Sequence, residues 1–97
     1  MTALNHLQDD TSPTAIGNRL AMIKRAYGLT QQQFADRIGV TQGAISGWLT
    51  GYRHLGLQSA LVICDEFNVT LDYLYRGESG GLTVSTLNML EAAGTNQ

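Results

Sequence analysis

"LTQQQFADRIGVTQGAISGWLTG", Leu29 to Gly51, is the stretch on which the reading of this chain turns. Thr30 carries the short oxygen that caps a helix start, and Gln33 three positions on completes a reciprocal cap. Phe34, Ala35 and Ile38 then share one face of a short helix. Gly39 ends it, because a residue without Cβ enters the left-handed region at no steric cost. Thr41 is the next cap. Ile45, Trp48 and Leu49 make the inward face of another short helix, which stops at Gly51. Ala35 is small where the two helices cross closely, and Val40, Ile45 and Trp48 fill the underside from one side as Phe34 and Ile38 do from the other.

Two such helices around a glycine turn make a helix-turn-helix. The stretch resembles the phage-repressor family, the lambda repressor and Cro-like (XRE) proteins, and the resemblance covers about residues 14–77 with the ending "TLDYLYRG", Thr70 to Gly77. It implies an all-α, compact five-helix domain that binds double-stranded DNA as a sequence-specific regulator. The expected form is a homodimeric repressor on an inverted-repeat operator. Carried over by position, Thr41, Gln42, Gly43, Ser46 and Gly47 would lie in the major groove. Gln31, Tyr52, Arg53 and His54 would meet the DNA backbone, with Lys24 and Thr50 as further backbone contacts. Tyr73, Leu74 and Tyr75 are the expected dimer surface, although Leu71 and Leu74 equally suit the monomer's own core.

Outward from the motif the pattern stays helical. Ser12-Pro13 starts a helix with Ile16, Leu20, Ile23 and Tyr27 in a stripe and Gly28 at its end. Residues 57–67 form another, its inner stripe expected at Leu57, Leu61, Cys64 and Phe67 with Ala60 beside them, stopped at Asn68. Thr70 caps a short fifth helix ended by Gly77. The expected organisation is a loose arm at 1–12, the DNA-binding domain at 13–77, and a tail at 78–97. In that tail Gly80-Gly81 is a linker, and Val84, Leu87 and Leu90 or Met89 side one weak helix. No strand alternation occurs.

Charge is unevenly spread. The net charge is −2, yet between Thr14 and Arg53 stand Arg19, Lys24, Arg25, Arg37 and Arg53 against Asp36 alone. From His54 onward Arg76 faces Asp65, Glu66, Asp72, Glu78 and Glu91, which suggests an anion-binding half followed by an acidic one. Lys24 and Arg25 suit phosphate or simply the negative end of their helix. Arg37 suits a solvated or Asp-paired surface position. The start, MTALNHLQDD, has no basic-then-apolar signal, and no apolar run is long enough for a membrane span, so a cytoplasmic protein is expected. Cys64, the single cysteine, reads as a small buried hydrophobe. His6, His54 and Cys64 have no zinc-site spacing. No cofactor, metal or catalysis is expected, since neither a phosphate loop nor a catalytic constellation is present.

The expected reading helix is unusual. Its outward residues Gln42, Gly43, Ser46, Gly47 and Thr50 include one long side chain, Gln42, which can bond an adenine edge bidentately. Gly43 and Gly47, four apart on one stripe, would let the backbone approach the groove floor, or are merely unconstrained. DNA shape, water-mediated contacts and dimer spacing would supply the remaining specificity. Ninety-seven residues leave no evident effector domain, which favours occlusion of a promoter. A second class of function is a protein-binding module of antitoxin type, holding its partner through residues 78–97. A third keeps the fold without DNA binding.

Overall fold

The hydroxyls that signal helix starts in the sequence all serve as caps in the folded chain. Ser12 accepts the Ala15 N–H at 3.1 Å and starts α1, Pro13–Ala26. Thr30 accepts the Gln33 N–H at 3.1 Å while the Gln33 side chain accepts the Thr30 N–H at 2.9 Å, opening α2, Gln31–Ile38. Thr41 accepts the Ala44 N–H at 3.1 Å and opens α3, Gln42–Thr50. Each such cap contributes about 1 kcal/mol by satisfying a donor that the helix itself leaves unpaired. Further on come α4, Leu57–Phe67, a π-helical turn at Asp72–Arg76 led in by Thr70, and α5, Val84–Thr95. The computed structural model describes residues 11–95, and among these no strand occurs. Residues 1–10 of the expected arm lie outside the described residues.

The core gathers Ile16, Leu20 and Ile23 of α1, Phe34 and Ala35 of α2, Ile45 of α3, and Ala60, Ile63 and Phe67 of α4. Phe67 is its hinge: its ring meets Phe34 at 5.1 Å and Tyr27 at 4.9 Å, and Tyr27 donates its hydroxyl to the Phe67 carbonyl at 2.7 Å. Packing of α1 against α3 is the most extensive contact between helices, and Gly17 makes it so close. A Cβ on Gly17 would stand 2.5 Å from the Trp48 carbonyl oxygen and 2.6 Å from that of Leu49.

Two expectations are corrected. The buried stripe of α4 is Ala60, Ile63 and Phe67, whereas Leu57 and Leu61 are 57% and 43% exposed. Apolar residues occur almost all around this helix, so periodicity alone leaves its rotation open, and the docking of Phe67 fixes it. Leu74 is completely buried and belongs to the monomer's core, so it offers nothing to a second copy. Arg19 of α1 donates to the Leu74 carbonyl at 3.1 Å, and Tyr75 donates its hydroxyl to the Leu55 carbonyl at 2.8 Å, tying the π-helical turn to the same domain. The helix expected in the tail spans residues 84–95 and docks on α1 through Leu90, with Ala93 buried and Met22 lying against Gly94. Asn68 fastens its start by donating to the buried Thr86 hydroxyl at 3.0 Å.

Candidate nucleic-acid interface

The geometry of α3 follows from what holds each end. Its N-terminal end leaves α2 through Gly39 in the left-handed region (φ 75°), and the Gly39 and Val40 N–H groups both return to the Ala35 carbonyl at 2.9 and 3.1 Å. Its last turn is pressed on Gly17 by the Trp48 and Leu49 backbone, while Gly51 (φ 80°) turns the chain away beside Thr14. The inner face is Ile45 and Trp48, both buried. Gln42, Gly43 and Ser46 lie exposed on the outer face. A helix whose underside is fixed this firmly presents its outer face as a rigid edge.

The expected contact residues divide into those open to a ligand and those already engaged. Gln42, Ser46, Tyr52, Arg53 and His54 are exposed, Tyr52 at 88%. Gln31 opens α2 half-buried, and Gly43 has nothing nearer a Cβ position than the Thr41 hydroxyl at 3.9 Å. Thr41 spends its hydroxyl oxygen on the cap. Thr50 donates to the Ser46 carbonyl at 3.0 Å and lies 3.3 Å from that of Gly47, so its one proton is used within the helix. The His54 and Tyr75 rings stand nearly perpendicular, centroids 6.5 Å apart. Gly47, expected to be open like Gly43, is buried: the Arg53 side chain lies across it, and the Arg53 N–H donates to its carbonyl at 3.0 Å.

The cations are distributed differently in space than along the chain. Arg37 pairs with Glu66 at 2.7 Å, not with an aspartate, and its guanidinium stacks over the Phe67 ring at 4.9 Å. The charge of the basic half is thus partly met by the acidic half. Arg19 is turned to the Leu74 carbonyl. Lys24 and Arg25 stand in the last turn of α1, and Arg25 shares a hollow with Met89, Ala92 and Ala93 of α5. Seven residues of helical rise, about 10 Å, separate Lys24 from the Gly17 contact with α3. Among the described residues, Arg53 is the exposed cation set directly against α3.

Nothing in the fold gathers three or more His, Cys, Asp or Glu side chains among the described residues, and no helix there is long and apolar enough to cross a membrane. Cys64 is half-buried, and burial, with the Asp65 carboxylate beside it, raises its thiol above the ordinary value. Its thiolate is correspondingly scarce near neutrality.

Comparison with known proteins agrees with this geometry. A helix-turn-helix family model matches residues 20–74, more than half of the chain. Over 60 residues the chain is 39% identical to the uncharacterized HTH-type transcriptional regulator YqaE of Bacillus subtilis (strain 168), covering 62% of this chain and 52% of that one. It is 35% identical over 60 residues to the HTH-type transcriptional activator BcrR of Enterococcus faecalis, covering 62% of this chain and 29% of BcrR. The chain therefore spans about half of one relative and under a third of the other. No solved structure gives a significant match.

Proposed function

Because the chain belongs to the helix-turn-helix family of lambda repressor-like transcriptional regulators, we propose that it binds one inverted-repeat operator as a homodimer and represses the promoter it covers. The observation that carries this reading is the α3 edge: an inner face locked into the core and an outer face of Gln42, Gly43 and Ser46 wholly open. Gln42, in the first turn, reads a base edge, and a bidentate contact of that kind discriminates by about 1–3 kcal/mol. Ser46 lies one turn on. Gln31, Tyr52 and Arg53 meet the sugar-phosphate backbone, which fixes register without carrying sequence.

Two copies follow from the scarcity of cations. With Arg37 paired and Arg25 beside α5, each monomer neutralises few phosphates, and its affinity for any DNA is low. A two-fold pair doubles those contacts and adds the spacing of half-sites as a source of specificity. The exposed leucines of α4, Leu57 and Leu61, are the apolar surface we assign to the second copy. The alternative, a tail that holds another protein, is disfavoured by α5, whose Leu90 and Ala93 are spent within the domain. As for the sign of regulation, a bound reader lying across a promoter blocks it unless it recruits polymerase. BcrR carries the name of an activator, and the present chain matches less than a third of it.

The test is selection of bound fragments from the source genome at moderate and low salt, with Gln42→Ala in parallel. One enriched inverted repeat, lost or relaxed in the variant, is expected. No enrichment at either salt refutes DNA reading. A reporter fused to the selected promoter then separates repression, the expected outcome, from activation.

A further inference from the structure

We propose that Gly47 is the seat of Arg53, and that the two act as one unit delivering a guanidinium to the flank of the reading helix. The sequence suggested a different use for this glycine, a bare backbone able to approach the groove floor. The space above it is occupied. A Cβ at position 47 would stand 2.5 Å from Arg53 Cδ, 2.8 Å from Cγ and 3.2 Å from Cβ, so the Arg53 stem fills the place where residue 47 would carry its own side chain. The stem is anchored at its root as well, since the Arg53 N–H donates to the Gly47 carbonyl at 3.0 Å.

Position matters here. At 3.6 residues per turn, residue 47 lies roughly 140° around α3 from Gln42, on the opposite border of the outer face. A groove-bound helix meets base edges with its N-terminal residues, where Gln42 stands, and a cation on the flank of its far end faces a phosphate strand. The Arg53 side chain is exposed at this border, and among the described residues no hydrogen bond or ion pair engages its guanidinium. An arginine is long and rotamer-rich, and a stem already laid on glycine loses less freedom when it binds. Gly43 has no such neighbour, which is why the seat is assigned to Gly47 alone.

This inference rests on the DNA-binding reading above and extends it to how one phosphate contact is built. The experiment measures operator affinity and its salt dependence for the wild type, Gly47→Ala, Arg53→Ala, Arg53→Lys and the double alanine variant, each checked for folding by thermal unfolding. Arg53→Ala is expected to weaken binding about tenfold and to lower the salt slope by about one. Gly47→Ala should reproduce most of both changes, and the double variant should be no worse than Arg53→Ala. Arg53→Lys, which keeps stem and charge, should retain most of the affinity. Wild-type affinity in Gly47→Ala would overturn the seat. Losses that add in the double variant would overturn it too, and would return Gly47 to the backbone-approach role. A readout without DNA accompanies these: nuclear Overhauser contacts between the Arg53 δ-protons and the Gly47 α-protons are expected, and their absence contradicts the seat. If the wild type selects no DNA while those contacts are present, it is the functional reading, and delivery with it, that fails.

Discussion

The two ends of α3 are built on opposite plans. At the first turn, Gln42 and Gly43 stand in open space, and a side chain added at 43 would meet nothing closer than 3.9 Å. At the last turn the helix is wedged, its backbone carbonyls pressed on Gly17 from beneath and Gly47 covered by Arg53 from above. The same residue type, four positions apart, is free at one end and enclosed at the other. The lesson is that a reading helix divides its work along its length: the far end holds, the near end is left available.

Trp48→Ala should break the holding end most severely. Its ring is buried with Ile45 in the core, and an aromatic-to-alanine truncation of this kind costs about 3–5 kcal/mol. A shift in the urea midpoint corresponding to less than about 1 kcal/mol would mean that the wedge is loose. Gly17→Ala comes next. Its added Cβ would run into backbone rather than into a yielding side chain, so the helices must separate, at about 1–3 kcal/mol. Unchanged stability there would show that α1 and α3 pack less closely than described.

Gln42→Ala acts on the available end and should leave the urea midpoint unchanged while weakening operator binding by about 1–3 kcal/mol. Loss of folding in this variant would erase the division of labour. The smallest effect, and of opposite sign, belongs to Gly43→Ala. With no neighbour to disturb, it should stabilise the fold by about 0.8–1 kcal/mol through helix propensity alone. Destabilisation would show that the first turn is packed after all.

Most of the fold was legible in the sequence because local chemistry announces it. Ser12, Thr30 and Thr41 cap, Gly39 and Gly51 take the left-handed turn, and Ile16, Leu20 and Ile23 recur at helical spacing, each a signal contained within a few residues. What escaped was decided over longer range. The rotation of α4 depends on Phe67 meeting Tyr27 and Phe34, and the turn that carries Leu74 into the core is tied through its carbonyl to Arg19, 55 positions earlier. Gly17 reads as an indifferent helical glycine until α3 is laid against it. The candidate site was legible on its open side, at Gln42, Gly43 and Ser46, but not where Arg53 folds back over Gly47. No local pattern encodes a stem crossing a helix from the following loop. Thr50 shows the same limit, since its exposed position says nothing of a proton already spent on the Ser46 carbonyl.

Backbone amide shifts of the labelled protein titrated with its selected operator fragment are the most direct test that the outer face of α3 meets DNA. The largest shifts are expected at Gln42, Gly43, Ser46 and Arg53, with α5 little changed. A silent α3 with the shifts concentrated in residues 84–95 would contradict it.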